Sequence, residues 1–216
     1  MTEHKILTQT YKDRLEAGGV LSKLLIKYKG SDSVIVAIPR GGVVLGAEIA
    51  KELGLPLTIV TPRKIASPYD SEFAIGAVLS DGTLLLDDKI IKINGIYEAY
   101  VRGKAEEQIK EAKRRYDLYI EGRTLKKRTF HTVILVDDGI ATGLTIKVSI
   151  KAVARMADKI ILAVPVAPEE LIRELAGLVN EVVCPMSPKN FSAVSQFYER
   201  FEEVTDEDVI SILGSV

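Results

Sequence analysis

Two adjacent carboxylates, Asp137 and Asp138, stand at the end of an apolar run in the stretch VILVDDGIATGLT (133–145). An ionised carboxylate only accepts hydrogen bonds, so a pair of them suits vicinal hydroxyl groups such as those of a ribose. A parallel strand here would place both acids beyond its carboxyl end, where open α/β sheets bind their ligands. The pattern therefore indicates a site for a sugar diol.

The loop after the acids has the composition of an anion site. Gly139 and Gly143 permit backbone conformations that other residues avoid, and Thr142 and Thr145 add hydroxyl donors. The helix-like segment that follows would point its positive end at the same place, which favours a phosphate. A diol site beside a phosphate site matches a ribose 5-phosphate. The alternative is an ordinary strand end with helix-capping residues, which does not account for two acids, two glycines and two threonines together.

A second strand end carries an arginine and two glycines. In AIPRGGVVLG (37–46), Arg40 precedes Gly41 and Gly42 at the predicted start of a helix. Helix N–H groups and a guanidinium can bind one anion together. A tight strand-to-helix turn explains the glycines but not the arginine, so we expect a second anion site.

Two other charged pairs give weaker signals. Arg63 and Lys64 lie in TPRKIASPYDSEFAIG (61–76), which is either an exposed basic loop or a source of positive charge for a bound anion. Asp87 and Asp88 follow a predicted hairpin strand and no phosphate loop. We therefore expect this second acidic pair to have a structural role at a strand end.

The elements that must position these residues alternate between strand and helix. Apolar runs without polar alternation predict strands of a parallel sheet that is covered on both faces. The runs are SVIVAIP (33–39), LTIVTP (57–62), TVILVDD (132–138), KIILAVPV (159–166) and EVVCP (181–185). Helix-like segments such as GGVVLGAEIAKELG (41–54) separate them. The sequence therefore predicts an α/β fold with a doubly wound, mainly parallel five-stranded sheet.

Other segments depart from this repeat. FAIGAVL and TLLLDD flank SDG (80–82), which predicts a β-hairpin insertion after the second strand. A long charged helix should run from about Ile96 to Ile120. The segment 8–29 looks helical, although we expect Gly18-Gly19 to interrupt or weaken that helix.

We expect one domain over residues 1–216. Its core would span about 31–187, and a small hood would come from about 1–30 and 188–216. The tail contains Phe191, Phe197 and Tyr198 among polar residues. These rings would either stack on a planar base or pack onto the sheet, and packing is the favoured alternative.

Composition excludes several other classes. The 216 residues can bury a sizeable core, and the net charge of −1 gives no general attraction for nucleic acid or an anionic membrane. The basic run at 126–128 lacks interleaved aromatic residues. One cysteine, Cys184, excludes an internal disulfide, and His4 and His131 match no zinc spacing. A polar start without a signal-peptide core, and no apolar run of membrane-spanning length, predict a cytoplasmic protein that binds neither nucleic acid nor membrane.

Residues 133–145 resemble the signature of type I phosphoribosyltransferases, which bind 5-phosphoribosyl 1-pyrophosphate (PRPP). That signature is an apolar strand, two acids and a phosphate loop that ends T-G-x-T. The resemblance covers about 33–185, through the strand order and the loop at 37–46. The whole chain is similar to stand-alone members of the family, from bacteria and archaea, whose acceptor is often unassigned.

The resemblance implies a role for each loop. Asp137 and Asp138 would bind the ribose hydroxyls, and Arg40, Gly41 and Gly42 would bind pyrophosphate, commonly with a non-proline cis peptide that should fall near Arg40-Gly41. The 5-phosphate loop would comprise Gly139, Ala141, Thr142, Gly143, Leu144 and Thr145. Arg63 and Lys64 would lie in a mobile flap and neutralise the leaving group. Mg²⁺ is implied as cofactor, held mainly by substrate oxygens and water rather than by identified protein ligands.

The implied reaction displaces pyrophosphate from C1 of PRPP by a nitrogen nucleophile, with Asp137, Asp138, Arg63 and Lys64 as catalytic candidates. Family members that act on 6-oxopurines have a further Asp where this chain has Ala141, so hypoxanthine and guanine are disfavoured. The competing hypotheses are a non-catalytic PRPP- or nucleotide-binding regulator and a binding module that acts with a partner enzyme. The Arg40 loop favours catalysis, since a sensor of ribose phosphate needs no pyrophosphate site. Members of the family are often dimers, which allows a homodimer.

Overall fold

The structure is a computed structural model that describes residues 10–71, 73–121 and 129–216. His4 and the basic run at 126–128 lie outside the described residues. The strands are β1 (Ser33–Ala37), β2 (Leu57–Ile59), β3 (Arg63–Ala66), β4 (Ala74–Val78), β5 (Leu84–Leu86), β6 (Phe130–Val136), β7 (Ala157–Ala163) and β8 (Glu181–Val183). The α-helices are α1 (Arg14–Leu24), α2 (Gly41–Leu53), α3 (Asp88–Ile93), α4 (Glu98–Ile120), α5 (Leu144–Val153), α6 (Glu169–Leu175) and α7 (Asp206–Gly214).

The main sheet has five parallel strands in the order β2-β1-β6-β7-β8. Its strands are the five apolar runs, which confirms the predicted sheet. Alternate residues of each strand enter two apolar layers, because successive strand side chains point to opposite faces. Ile35 and Ile134 pack with α1 and α2 on one face. Val36 and Leu135 pack with α5 and α6 on the other.

A second sheet joins β3, β4 and β5 in antiparallel pairs. The β4–β5 hairpin was predicted, and Gly82 adopts a positive φ of 82° in its turn. Strand β3 was not predicted, since its residues were expected to form a loop. Asp87 caps α3 by accepting a hydrogen bond from the Ile90 amide at 3.0 Å, so the second acidic pair is structural as expected.

Helix α1 runs through Gly18 and Gly19 without a break, so the expected interruption is wrong. A Cβ on Gly18 would lie 3.0 Å from the Cβ of Glu48 and 3.2 Å from the Cα of Leu45. Gly18 therefore lets α1 approach α2 closely. A Cβ on Gly19 would meet nothing within 4 Å.

This difference predicts opposite effects for two neighbouring substitutions. We expect Gly19→Ala to raise the free energy of unfolding by about 0.5–1 kcal/mol, because alanine loses less backbone entropy in a helix. We expect Gly18→Ala to lower it by about 1–3 kcal/mol, because the added methyl crowds α2. Urea unfolding of both variants measures the difference. A higher free energy of unfolding in both variants would show that α1 and α2 are not in contact at Gly18.

The N-terminal segment and the tail pair with each other. Tyr11 and Tyr198 form a parallel bridge, in which the Tyr11 amide donates to the Phe197 carbonyl at 2.8 Å. The Glu199 amide donates to the Tyr11 carbonyl at 2.8 Å. Residues from both parts of the predicted hood are thus in direct contact. None of the helices in the described ranges is long and apolar enough to cross a membrane.

Candidate active site

The two loops singled out in the sequence meet at one edge of the main sheet. Strands β1 and β6 are parallel neighbours with Ala37 opposite Val136, so their following loops leave the sheet side by side. A Cβ on Gly41 would lie 1.8 Å from Oδ2 of Asp138. A Cβ on Gly42 would lie 2.9 Å from the Val136 carbonyl. Only glycines allow the Arg40 loop to approach the acids this closely.

The acid pair is poorly solvated. The Asp138 amide donates to Oδ1 of Asp137 at 2.9 Å. Burial raises the pKa of Asp137 well above its usual value, and the adjacent charge of Asp138 raises it further. Burial also raises the pKa of Asp138, but a cation opposes that rise.

That cation is Arg14, at the start of α1. Its Nε donates to Oδ2 of Asp138 at 2.8 Å, and the two side chains are only 11% and 16% exposed. Sequence reasoning missed Arg14, because nothing in KDRLEAGG distinguishes it from a solvent-facing residue. The only available signal was that a buried acid pair needs a cation, and the sequence offers 29 lysines and arginines.

The tail also contacts Asp138. The Tyr198 hydroxyl donates to the Asp138 carbonyl at 2.6 Å, and the ring is 6% exposed. The Tyr198 ring is therefore buried within the protein and is not presented to a ligand. This is the alternative that the sequence favoured. Phe191 and Phe197 stack on each other with ring centroids 5.3 Å apart. Val194 of the same segment lies over Gly139, where an added Cβ would be 2.5 Å from its Cγ1.

Arg40 contacts carboxylates of the tail. Its Nη2 donates to Oε1 of Glu203 at 2.5 Å, and its Nη1 lies 3.8 Å from Oδ1 of Asp206. Asp206 also accepts a hydrogen bond from the Tyr119 hydroxyl at 2.6 Å. An anion that binds Arg40 must therefore compete with two carboxylates. The non-proline cis peptide joins Pro39 to Arg40, one bond before the expected position.

The predicted phosphate loop leads directly into a helix. Gly139 and Gly143 have φ values of 153° and 79°, which favour glycine, and α5 begins at Leu144. Ala141 and Thr142 are exposed, and Thr145 lies in the first turn of α5. The loop therefore faces solvent in front of the positive end of a 10-residue helix.

Arg63 and Lys64 do not lie in an exposed loop. They pair with Val78 and Ala77 in the second sheet. The Nε of Arg63 donates to Oε1 of Gln108 on α4 at 3.0 Å. Burial and the nearby charge of Arg115 lower the pKa of Arg63. The pair therefore lies on a strand, because β4 supplies a hydrogen-bonding partner, and its place in a mobile flap stays a prediction.

Within the described ranges, no group of three or more His, Cys, Asp or Glu side chains is arranged to hold a metal ion. Asp137 and Asp138 are the acids at the junction of the two loops. Mg²⁺ that arrives with a phosphorylated substrate would need few protein carboxylates, because this ion keeps several waters.

The family pattern described as "Phosphoribosyl transferase domain" matches residues 8–201. The chain therefore belongs to the phosphoribosyltransferase family, and its parallel five-stranded sheet with a small antiparallel sheet is the type I form of that fold.

Two relatives carry names of the same family, and one solved structure is similar in sequence and fold. Proteins of Mycobacterium tuberculosis strains CDC 1551 / Oshkosh and ATCC 25618 / H37Rv are named "Putative phosphoribosyl transferase MT0597" and "Putative phosphoribosyl transferase Rv0571c". Each is 36% identical over 204 residues, which cover 94% of this chain but only 46% of that protein. The crystal structure of TT1426 from Thermus thermophilus has a TM-score of 0.79 and 35% identity, over 95% of this chain and 98% of that one. The chain thus spans about half the length of the curated relatives.

Proposed function

We propose that this chain transfers the 5-phosphoribosyl group of PRPP to a nitrogenous base or related acceptor, with release of pyrophosphate. The observation that carries the proposal is the contact of the Gly41–Gly42 turn with Asp137 and Asp138. Through this contact the acid pair that we expect to bind a diol lies beside both of the loops that we expect to bind anions. PRPP has the same order of groups, with a phosphate and a diphosphate on either side of a ribose diol.

Each group of residues would bind a different part of PRPP. Asp137 and Asp138 accept hydrogen bonds from the ribose hydroxyls and favour the positive charge that develops on the ring. The amides of 141–145 and the start of α5 hold the 5-phosphate. Arg40 and the Gly41–Gly42 turn receive the diphosphate, which displaces Glu203 and Asp206. A polyphosphate has the greater charge, and of the two carboxylates that it replaces Glu203 is 74% exposed, so that its contact with Arg40 is weakened by solvent.

Mg²⁺ would bind mainly to the diphosphate oxygens and water. When bound, it would neutralise charge that accumulates on the leaving group. Arg63 and Lys64 stay catalytic candidates by resemblance only. Their positions on β3 require that any such role be exerted from a strand.

Several expectations stay predictions. Ala141 disfavours 6-oxopurine acceptors, but no other acceptor class follows from the site. The division into a core at about 31–187 and a hood, a homodimer and a cytoplasmic location also stay predictions.

A binding module without turnover is the second candidate. The contacts of Glu203 and Asp206 with Arg40 favour this second candidate, because they neutralise the arginine that would otherwise bind the diphosphate. Release of pyrophosphate from PRPP and Mg²⁺ over a panel of purine and pyrimidine bases separates the two candidates. Turnover with one base supports the transferase, whereas PRPP binding without turnover across the panel supports the module.

Binding itself has a simpler test. We expect PRPP with Mg²⁺ to raise the melting temperature, because a ligand bound only by the folded state stabilises that state by about 2.7 kcal/mol at 100 times its Kd. Differential scanning calorimetry at millimolar PRPP measures the shift. Ribose 5-phosphate alone should give a smaller shift, since it lacks the diphosphate. An unchanged melting curve with PRPP would refute both candidates.

A further inference from the structure

We propose that Arg14 is a positioning residue for the reaction: it fixes the Asp138 carboxylate in place and keeps it ionised for the ribose hydroxyls. This inference rests on the proposed function. It assigns a task to a side chain that is distant in sequence from both substrate loops.

The contacts of Arg14 leave its guanidinium little freedom. Nε donates to Oδ2 of Asp138 at 2.8 Å, and Nη1 donates to the Glu202 carbonyl at 2.6 Å. The guanidinium carbon lies 3.8 Å from the centre of the Phe201 ring, within the range of a cation–π contact. Three different directions of contact therefore fix the guanidinium, and Asp138 is bound to a fixed donor.

Asp138 is in turn held at both its main chain and its side chain. The Tyr198 hydroxyl binds its carbonyl, and its amide binds Oδ1 of Asp137. Arg14 binds Oδ2, and in the proposed role the other carboxylate oxygen would accept a ribose hydroxyl. The position of that oxygen depends on Arg14, because rotating the carboxylate would break the Nε contact.

The titratable groups around Asp138 come from three directions. Asp137 is its chain neighbour, Arg14 faces it from α1, and the Tyr198 hydroxyl faces it from the tail. The start of α2 contributes Gly41, which has no side chain. The tail residue Glu202 contacts Arg14 through its carbonyl. Arg14 is thus the cation in contact with Asp138 that opposes the effects of burial and of the adjacent acid.

This arrangement has a consequence for ionisation. Burial raises the pKa of Asp138 and the charge of Arg14 lowers it. Removing the guanidinium should therefore raise the pKa further, by at least about one unit, as expected for loss of an opposite charge in contact. A protonated Asp138 can no longer offer two acceptor oxygens, so binding of the diol would weaken as pH falls through that pKa.

The alternative is that Arg14 merely ties the N-terminal segment to the tail. Arg200 makes a suitable control, because it ties the same two segments without touching the acid pair. Its Nη2 donates to Oδ2 of Asp13 at 2.6 Å, and its amide donates to the Lys12 carbonyl at 3.0 Å. A loss shared by Arg14 and Arg200 variants would therefore be structural.

The first measurement needs no ligand. The carboxyl ¹³C of Asp138 would be titrated by NMR in the wild type, Arg14→Gln, Arg14→Lys and Arg200→Gln. We expect the pKa of Asp138 to rise by at least about one unit in Arg14→Gln and to stay unchanged in Arg200→Gln. The Asp138 pKa in Arg14→Lys should lie between those of the other two variants, since lysine keeps the charge but not the geometry of the guanidinium contact. An unchanged Asp138 pKa in Arg14→Gln overturns the inference.

The second measurement is PRPP affinity, with Mg²⁺, against pH by calorimetry. We expect the pH at which affinity is half lost to move upward in Arg14→Gln and to move back in Arg14→Lys. A uniform loss at every pH, equal to that of Arg200→Gln, would show a structural tie and overturn the inference. No PRPP binding by the wild type would instead overturn the proposed function and this role with it. PRPP binding with an unshifted carboxyl would overturn only the role of Arg14.

Discussion

Asp138→Asn should lower the rate of pyrophosphate release from PRPP by at least about 100-fold, which corresponds to about 2.7 kcal/mol of transition-state stabilisation. The substitution keeps the shape of the side chain and an oxygen that can accept from Arg14. It removes the negative charge that would stabilise a cationic ribose ring. The measurement is kcat with the acceptor base that gives turnover.

The control for this variant is Asp158→Asn. Asp158 lies on the surface of β7, where its carboxylate is 81% exposed and contacts His131. We expect near-normal turnover from Asp158→Asn. Near-normal turnover from Asp138→Asn as well would show that the acid pair takes no part in the chemistry.

Stability gives a second check on Asp138→Asn. Because burial raises the folded-state pKa of Asp138 above its unfolded value, ionising this acid costs stability. The cost is absent below the unfolded pKa, grows as pH rises through the folded pKa, and is complete above it. Asparagine removes this cost but leaves Arg14 without a charged partner. We therefore expect the variant to stay folded at neutral pH, so that its lost activity reports chemistry.

Gly41→Ala is expected to lower PRPP turnover by about 100-fold, as a displacement of about 1 Å at a reacting group can do. The new Cβ would lie 1.8 Å from Oδ2 of Asp138 and 2.8 Å from Nε of Arg14. No rotation of the methyl relieves this contact, so the carboxylate must turn away from Arg14. Turnover and PRPP affinity are the measurements.

Gly46→Ala provides the matched control on the same helix. Its Cβ would lie 2.9 Å from the Cβ of Ala37, beneath α2 and away from the acid pair. Both variants should lose about 1–3 kcal/mol of stability through overpacking. Only Gly41→Ala should lose PRPP affinity when both are compared well below their melting temperatures. Equal losses of PRPP affinity in the two variants would show that the effect comes from a general disturbance of α2 and not from displacement of Asp138.

The main sheet was predictable because its strands carry their signal locally. Runs such as SVIVA are buried along their whole length, and such runs read as parallel strands from composition alone. The two candidate substrate loops were predictable for a related reason: in each, the strand, the acids or arginine, the glycines and the helix follow one another directly in the sequence. Their direct contact was not, since it depends on β1 and β6 being neighbours.

The missed features all depend on partners far away in the chain. Strand β3 contains the charged pair Arg63 and Lys64, and it is a strand because β4 lies beside it. Gly18 weakens a helix by propensity, but its small size permits contact with α2, and that packing outweighs the propensity. Arg14 was missed at the site for the same reason. Its environment is created by Asp138 and Phe201, so no window of local sequence contains the signal.

The pairing of Arg14 with Glu202 joins positions 188 residues apart. A ribosome therefore makes Arg14 long before it makes Glu202. The loops at 37–46 and 137–145 can therefore fold onto the sheet while Arg14 still lacks its contacts with Phe201 and Glu202. During synthesis the proposed site should acquire its full affinity for PRPP only after the residues at 197–202 have emerged, because they hold Arg14 and the Asp138 main chain.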